Sequence, residues 1–372
     1  MSRPGWATVE GTANYRKRFE GKLAAGHFRE QRGLWLSSIG IGTYLGDHDD
    51  ATDYLYQQAV VRAVELGSNV IDSAINYRFQ RSERSIGAAL RELAAKEIGR
   101  EQIVLATKGG FLPFDGSPPK DVRGYFTDTF VKPGIANFSD VIGGYHCMTP
   151  SYLLNQLECS RKNLDVECVD IYYVHNPETQ VAEVSHNEFN ERLLKAFETL
   201  EGAASAGKIR MYGTATWNGY RNDPEAKDYL SLAEVVEIAK KAGGEKHRFK
   251  VIQLPFNLAM HEALTKRNQE VNGDQLSAFE AAQRLGITVM CSASILQGQL
   301  SRNLPPIVGD VFKGLETDGQ RSLQFVRSTP GIGVALVGMK RISHVEENLK
   351  LTQVPPAPWD QYARLFGEPQ RA

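Results

Sequence analysis

The chain has 372 residues, 42% of them hydrophobic and 23% charged, with a formal net charge of −1. That balance suits a soluble protein with a large buried core and argues against nucleic acid or an anionic membrane as partner, since both leave a basic imprint. A (β/α)₈ barrel takes about 250 residues, so one barrel fits with roughly 120 left for insertions. Cys147, Cys159, Cys168 and Cys291 show neither CxxC spacing nor a ligand cluster, so they read as free thiols and no metal is expected. The opening MSRPGWATVEGT lacks an apolar signal core, and the apolar run Gly331 to Gly338 is too short for a bilayer. A cytoplasmic location is expected.

Short apolar runs then alternate with segments of helical period. Strand one is expected at Ile39 to Thr43, before a helix with Leu55, Ala59, Ala63 and Leu66 on one face and Gly67 as its stop. Strand two is expected at Asn69 to Ala74 and strand three at Ile103 to Lys108. The rhythm breaks over residues 109–148 and resumes at Thr149-Pro150, a helix start. Strands follow at Val169 to His175, Ile209 to Thr216, Val251 to Phe256, Thr288 to Ser294 and Gly333 to Gly338. Capping boxes are expected at Ser231 with Glu234 and at Ser343 with Glu346, and a helix around Leu276, Phe279, Ala282 and Leu285. Eight strand–helix units with strands this apolar point to a parallel sheet covered by helices, closed as a (β/α)₈ TIM barrel. An open doubly wound sheet should show GxGxxG after an early strand, and IGIGTYLG only imitates it.

Functional side chains of a barrel come from the C-terminal strand ends. Those ends carry Asp72, Lys108, His175, Thr214, Thr216, Gln253, Asn257 and Ser292. Hydride reduction of a carbonyl leaves an alkoxide that needs a proton. Tyr77 could give it, with Lys108 to tune the phenol, Asp72 to pair with Lys108, and His175 to direct the carbonyl oxygen.

These residues sit in recognisable segments. IDSAINY with SERSIGAAL, LATK, YYVHNP, IGIGTY, GTATW, QLPFN and VGMKRISHVEENL resemble the aldo-keto reductase family over about residues 35–352. The resemblance implies a single barrel domain spanning 1–372, an N-terminal extension at 5–33 that closes the barrel bottom, and Asp72, Tyr77, Lys108 and His175 as catalytic tetrad. It implies NADP(H) as cofactor, held by Gly42, Thr43, Tyr44, Asp72, Ala215, Thr216, Gln253, Ser292, Ala293, Ser294, Ile295, Gln297, Gly298, Gly338, Met339, Lys340, His344, Glu347 and Asn348, with Lys340 and Arg341 reading its 2′-phosphate ahead of a helix N-terminus. The chain departs from the family where Ser-Asn becomes Ala215-Thr216, where an aromatic becomes Ser292, and where an arginine becomes His344. A small carbonyl or alcohol is the implied substrate. The alternative is a cofactor-binding regulatory partner, as in the potassium-channel β-subunits. The aromatic-rich insertion 109–148 is expected to fold over the active-site mouth and touch substrate.

Overall fold

The computed structural model describes residue 3 and residues 5–367. Its centre is a closed barrel of eight parallel strands: β1 Ile39–Gly42, β2 Val70–Asp72, β3 Val104–Gly109, β4 Val169–His175, β5 Ile209–Ala215, β6 Phe249–Pro255, β7 Thr288–Ser292 and β8 Ile332–Gly338. Each strand pairs with the next in sequence, and β8 closes onto β1. All eight expected strands are present, with ends differing by one or two residues.

Because successive side chains point to opposite faces, each strand serves two cores. The inward set includes Val70, Val104, Ala106, Ile171, Tyr173, Val251, Met290, Val334 and Leu336. The outward set, with Ile41, Ile71, Leu105, Val174, Ile252, Cys291 and Val337, packs under the helices. The helix Asp50–Glu65 shows how they attach. Asp49 caps it by accepting from Thr52 N, and Tyr56, Ala59, Val60, Ala63 and Val64 are buried at helical spacing. The buried face is one residue round from the sequence reading: Leu55 is exposed and Tyr56 takes its place, its hydroxyl donating to the Leu45 carbonyl.

Helix ends also depart from expectation. Ser231 caps Leu232–Gly243, yet the Glu234 carboxylate turns to His186 and Asn190 instead of closing a box. Helix Ile342–Leu349 begins before Ser343 and has no side-chain cap, because Glu346 is drawn to Arg62 at 2.7 Å. Complete boxes lie instead at Ser277 with Glu280, ahead of Ala278–Arg284, and at Asn137 with Asp140, ahead of the 3₁₀ turn Phe138–Asp140. Leu276 belongs to a small hairpin, Gln269–Val271 with Asp274–Leu276, outside that helix.

A hairpin of Phe28–Gln31 and Leu34–Ser37 crosses the N-terminal end of the barrel. Leu36 joins the inward core and Leu34 packs against it. The void left there, lined by Gln31, Leu34, Leu36, Val104, Ile171, Val251 and Met290 among others, is about 10 Å³, at the lower limit for one water. The bottom is thus plugged, and the chemistry is left to the other end.

The insertion after β3 is folded. It contains helix Val122–Phe126, a π-turn Thr127–Val131 and a 3₁₀ turn Phe138–Asp140. Phe126, Phe130, Ala136, Cys147 and Tyr152 form its own core.

Candidate active site

Alternation decides what reaches the top of the barrel. Near the C-terminal ends of the strands the inward-facing parity falls on Gly42, Asp72, Lys108, His175, Ala215, Gln253, Ser292 and Gly338. The ring is divided by size. Asp72, Lys108, His175 and Gln253 bring chemistry, while Gly42, Ala215, Ser292 and Gly338 leave space.

Asp72 and Lys108 form a buried ion pair, Nζ to Oδ2 at 2.6 Å, with side chains 7% and 1% exposed. Lys108 Nζ also donates to the Ser73 carbonyl at 2.7 Å, and Gln253 Nε2 donates to the other Asp72 oxygen at 2.8 Å. Burial pulls Lys108 below its ordinary value, opposed by Asp72. The Tyr77 ring lies 5.1 Å from Lys108 Nζ and edge-on to His175 at 5.9 Å, so motif and strand tips converge. Burial raises the Tyr77 phenol well above its usual value, and the Asp72 charge adds to this. A phenol raised this way keeps its proton at neutral pH, and Lys108 stands near enough to its ring to act on the charge left when the proton departs. Burial, then Lys108, hold His175 well below the usual imidazole range, so it is neutral at pH 7. Its Nδ1 is buried with no hydrogen-bond partner among the described residues.

The remaining implied cofactor residues fall into two groups. Several present an unused polar group, an open backbone or a charge. Thr216 Oγ1 is buried and unpartnered. The stretch after β7 is left-handed at Ala293, Leu296, Gln297 and Gly298, with Leu296 N and Gly298 N bonded inside the turn to the Ala293 and Ile295 carbonyls. The uncapped end of Ile342–Leu349 follows Lys340 and Arg341, which have no ion-pair partner among the described residues since Glu346 is taken by Arg62. Tyr44 and His344 are exposed, Glu347 half-buried and Asn348 buried beside them. This set fits a dinucleotide with phosphates: it offers a buried hydroxyl, an uncapped helix end and two cations unpaired among the described residues.

Other implied contacts are spent elsewhere. Met339 is wholly buried in the outer core, and Ile295 packs against it. Ser294 Oγ donates to the Cys291 carbonyl, and Thr43 Oγ1 is bonded between the Asp72 carbonyl and Ser73. Gln253, implied for the nicotinamide amide, gives its Nε2 to Asp72, which leaves its amide oxygen as an acceptor. Ser292 leaves the side of the ring where an aromatic was missed without one.

Sequence reasoning overlooked Glu178. It is buried three residues after His175, and its Oε1 accepts from Trp217 N at 2.5 Å and Asn218 N at 3.1 Å. Burial pushes it up to about 7, and Oε2 has no partner. It ties the loop after β4 to the loop after β5. A carboxylate just past a catalytic strand end was its only signal.

The family model described as the aldo/keto reductase family matches residues 38–307. The chain belongs to the aldo/keto reductase family. One relative of this aldo/keto reductase is "Aldo-keto reductase yakc [NADP(+)]" of Schizosaccharomyces pombe, 23% identical over 354 residues, covering 86% of this chain and 84% of the relative. Another, from the same organism, is named a putative voltage-gated potassium channel subunit beta. It is 22% identical over 347 residues, covering 90% of each chain. Among solved structures, an aldo/keto reductase from Klebsiella pneumoniae in complex with NADP and acetate superposes with a TM-score of 0.62 at 19% identity. The match covers 94% of this chain and 98% of that one. Among the described residues there is no cluster of His, Cys, Asp or Glu suited to a metal, and no helix long and apolar enough to cross a membrane.

Proposed function

We propose that this aldo/keto reductase moves hydride between NADP(H) and a small carbonyl or alcohol, with Tyr77, Lys108, Asp72 and His175 as its machinery and the whole chain acting as one barrel domain. The observation that carries the reading is the convergence of a protonated phenol, a buried Asp72–Lys108 pair and a neutral His175 at one barrel mouth. The cofactor, when bound, supplies the hydride. Lys340 and Arg341 would hold its 2′-phosphate, the left-handed run at 293–298 its diphosphate, and Thr216 the polar edge of its nicotinamide.

The protein's own part is proton handling and aim. Tyr77 keeps its proton at neutral pH and is the group able to donate it to the carbonyl oxygen as charge develops there. Lys108, fixed by Asp72 close to the Tyr77 ring, then stabilises the phenolate left behind. Neutral His175 can donate one hydrogen bond and thereby set the direction of the carbonyl. The small residues Gly42, Ala215, Ser292 and Gly338 make room. Free cysteines fit the reducing cytoplasm in which we place the enzyme.

The test is Tyr77→Phe, followed by NADPH oxidation against a panel of aldehydes and by NADPH titration. Turnover should fall about 10²- to 10⁴-fold with cofactor affinity retained. Wild-type turnover in the variant would remove Tyr77 from the mechanism. The likeness to a channel β-subunit supports a second reading, a binding partner that uses the cofactor as a sensor. Cofactor binding with no turnover of any aldehyde, together with capture of a stable protein partner, would favour it.

A further inference from the structure

The insertion after β3 reaches the catalytic histidine through His146. Its side chain is wholly buried, with Nε2 2.7 Å from the His175 carbonyl oxygen and Nδ1 3.1 Å from Gln180 Nε2. Gln180 Oε1 in turn accepts from Arg192 Nη1 at 3.0 Å. The directions along this chain are forced. A guanidinium only donates, so the Gln180 amide oxygen faces Arg192 and its NH₂ faces His146. His146 Nδ1 must accept, so the ring proton sits on Nε2 and is donated to the carbonyl, which only accepts. Burial lowers His146 to about 4, in keeping with a neutral ring.

The carbonyl concerned lies where the sheet stops. β3 pairs with β4 as far as Gly109 opposite Val174, so His175 has no partner residue on β3. Past it the chain bends through Asn176, which is left-handed. His146 supplies the donor that the ladder no longer offers. Two further features serve the same contact. Gly110, at φ +140°, would place a Cβ 2.8 Å from His146 Nε2 and 3.1 Å from the His175 oxygen, so a side chain there would wedge the two apart. Phe111 lies edge-on to both imidazoles, at 5.4 Å from His146 and 4.8 Å from His175.

We propose that His146 is a positioning residue for His175: its hydrogen bond to the His175 carbonyl fixes the end of β4, and through it the aim of the imidazole at the substrate carbonyl. The insertion therefore forms part of the catalytic scaffold as well as the wall of the mouth. This inference rests on the reductase reading above.

Three variants test it. His146→Phe keeps the ring and removes both hydrogen bonds, His146→Gln can restore the donor, and Gln180→Leu loosens the ring without touching the insertion. Each is assayed with NADPH and 4-nitrobenzaldehyde for kcat and KM, titrated with NADPH, melted, and examined by two-bond ¹H–¹⁵N spectra of labelled histidines. His146→Phe should lower kcat by roughly tenfold to a hundredfold, the size of a small misplacement of a catalytic group. NADPH affinity and melting temperature should hold, and the His175 ring resonances should shift. Gln at 146 should restore much of the rate, and Gln180→Leu should give a smaller loss. Unchanged kcat with unmoved His175 resonances would overturn the proposal. So would a joint loss of rate, affinity and stability that Gln does not rescue. If the wild type reduces no aldehyde, the reductase reading fails and the spectra alone decide. An Nε2–H tautomer at His146 with a shifted His175 in His146→Phe supports the positioning role, and an Nδ1–H tautomer overturns it.

Discussion

Gln253 holds the oxygen of Asp72 that Lys108 leaves free, Nε2 to Oδ1 at 2.8 Å against Nζ to Oδ2 at 2.6 Å. One carboxylate thus anchors Lys108 from the adjacent strand β3 and Gln253 from β6 across the barrel, and both of its oxygens are satisfied in a nearly dry site. Removing one partner strands a buried charge. Lys108→Met should therefore cost about 3–5 kcal/mol of stability, read from urea unfolding, besides abolishing turnover. Asp72→Asn combined with Lys108→Met should recover much of the stability and none of the activity. A single variant as stable as the wild type would show that the pair is better hydrated than the structure has it.

Phosphate recognition can be measured at Lys340 and Arg341. They precede an uncapped helix end and pair with no acid among the described residues. A charge-assisted hydrogen bond contributes about 1.5–3 kcal/mol, so one surviving contact should favour NADPH over NADH by roughly ten- to a hundredfold. Lys340→Ala/Arg341→Ala should erase the preference, with NADH affinity little changed. Equal affinities in the wild type, or a preference that outlives the double variant, would locate the phosphate elsewhere.

Glu178 predicts a pH dependence of folding. Its carboxyl is raised from 4.5 to about 7 by burial, so the folded protein holds this proton more tightly than the unfolded chain. That contribution is complete below pH 4.5 and is lost as pH rises through 7. Glu178→Gln keeps an acceptor for Trp217 N and Asn218 N, and its NH₂ can take the place of the unpartnered oxygen. Melting temperatures of the two proteins should be alike near pH 4.5, with the variant gaining over the wild type toward pH 8. Parallel profiles would rule Glu178 out as the titrating group.

The aromatics of the insertion separate into two roles. Phe111 stands against His175, stacked on the exposed Tyr145, whereas Phe126 and Phe130 are buried in the insertion's own core. Phe111→Ala should raise KM for aromatic aldehydes, with an aromatic contact of about 1 kcal/mol giving roughly fivefold, and should affect short aliphatic aldehydes less. Phe126→Ala should instead open the insertion to proteolysis, since truncating a buried phenylalanine costs about 3–5 kcal/mol. A KM response from Phe126 matching that from Phe111 would mean the insertion acts as one mobile body.

What the sequence disclosed follows the physics of its signals. Eight apolar runs separated by helical periods specify strands and their order, and alternation then fixes that Asp72, Lys108, His175 and Gln253 face inward. Tyr77 was found by its spacing from Asp72. Contacts depending on long-range competition were not legible. Ser343 and Glu346 have capping-box spacing, but Arg62, far away in sequence, takes the glutamate. Nor did the segments holding Thr43, Ser294, Met339 and Gln253 reveal the bonds and burial their side chains have within the chain. Burial first, and the Asp72 charge after it, raise the Tyr77 phenol, and one sequence does not reveal how much surface covers a side chain. His146 read as one aromatic among eight in the insertion, and its contact with a backbone carbonyl leaves no pattern to find.

The backbone just past three of the four proposed catalytic side chains reverses its handedness: Arg78, Phe79 and Gln80 after Tyr77, Gly110 shortly after Lys108, and Asn176 after His175 all have positive φ. L-residues adopt that geometry at a cost of roughly 1–2 kcal/mol each, and a β-branched residue at such a pivot is a genuine outlier. After Tyr77 the side chains themselves make contacts that offset the strain. Arg78 reaches Asp53 and the Asp47 carbonyl, Phe79 packs on His48 and Phe114, and Gln80 holds the Phe114 carbonyl. Valine, isoleucine and threonine are thereby shut out of all five positions. The mouth is hinged on a handful of sites with almost no freedom to vary, while the segments strung between them can diverge in length and composition. New substrate preferences can arise on this barrel by redrawing those segments without moving the pivots on which its chemistry turns.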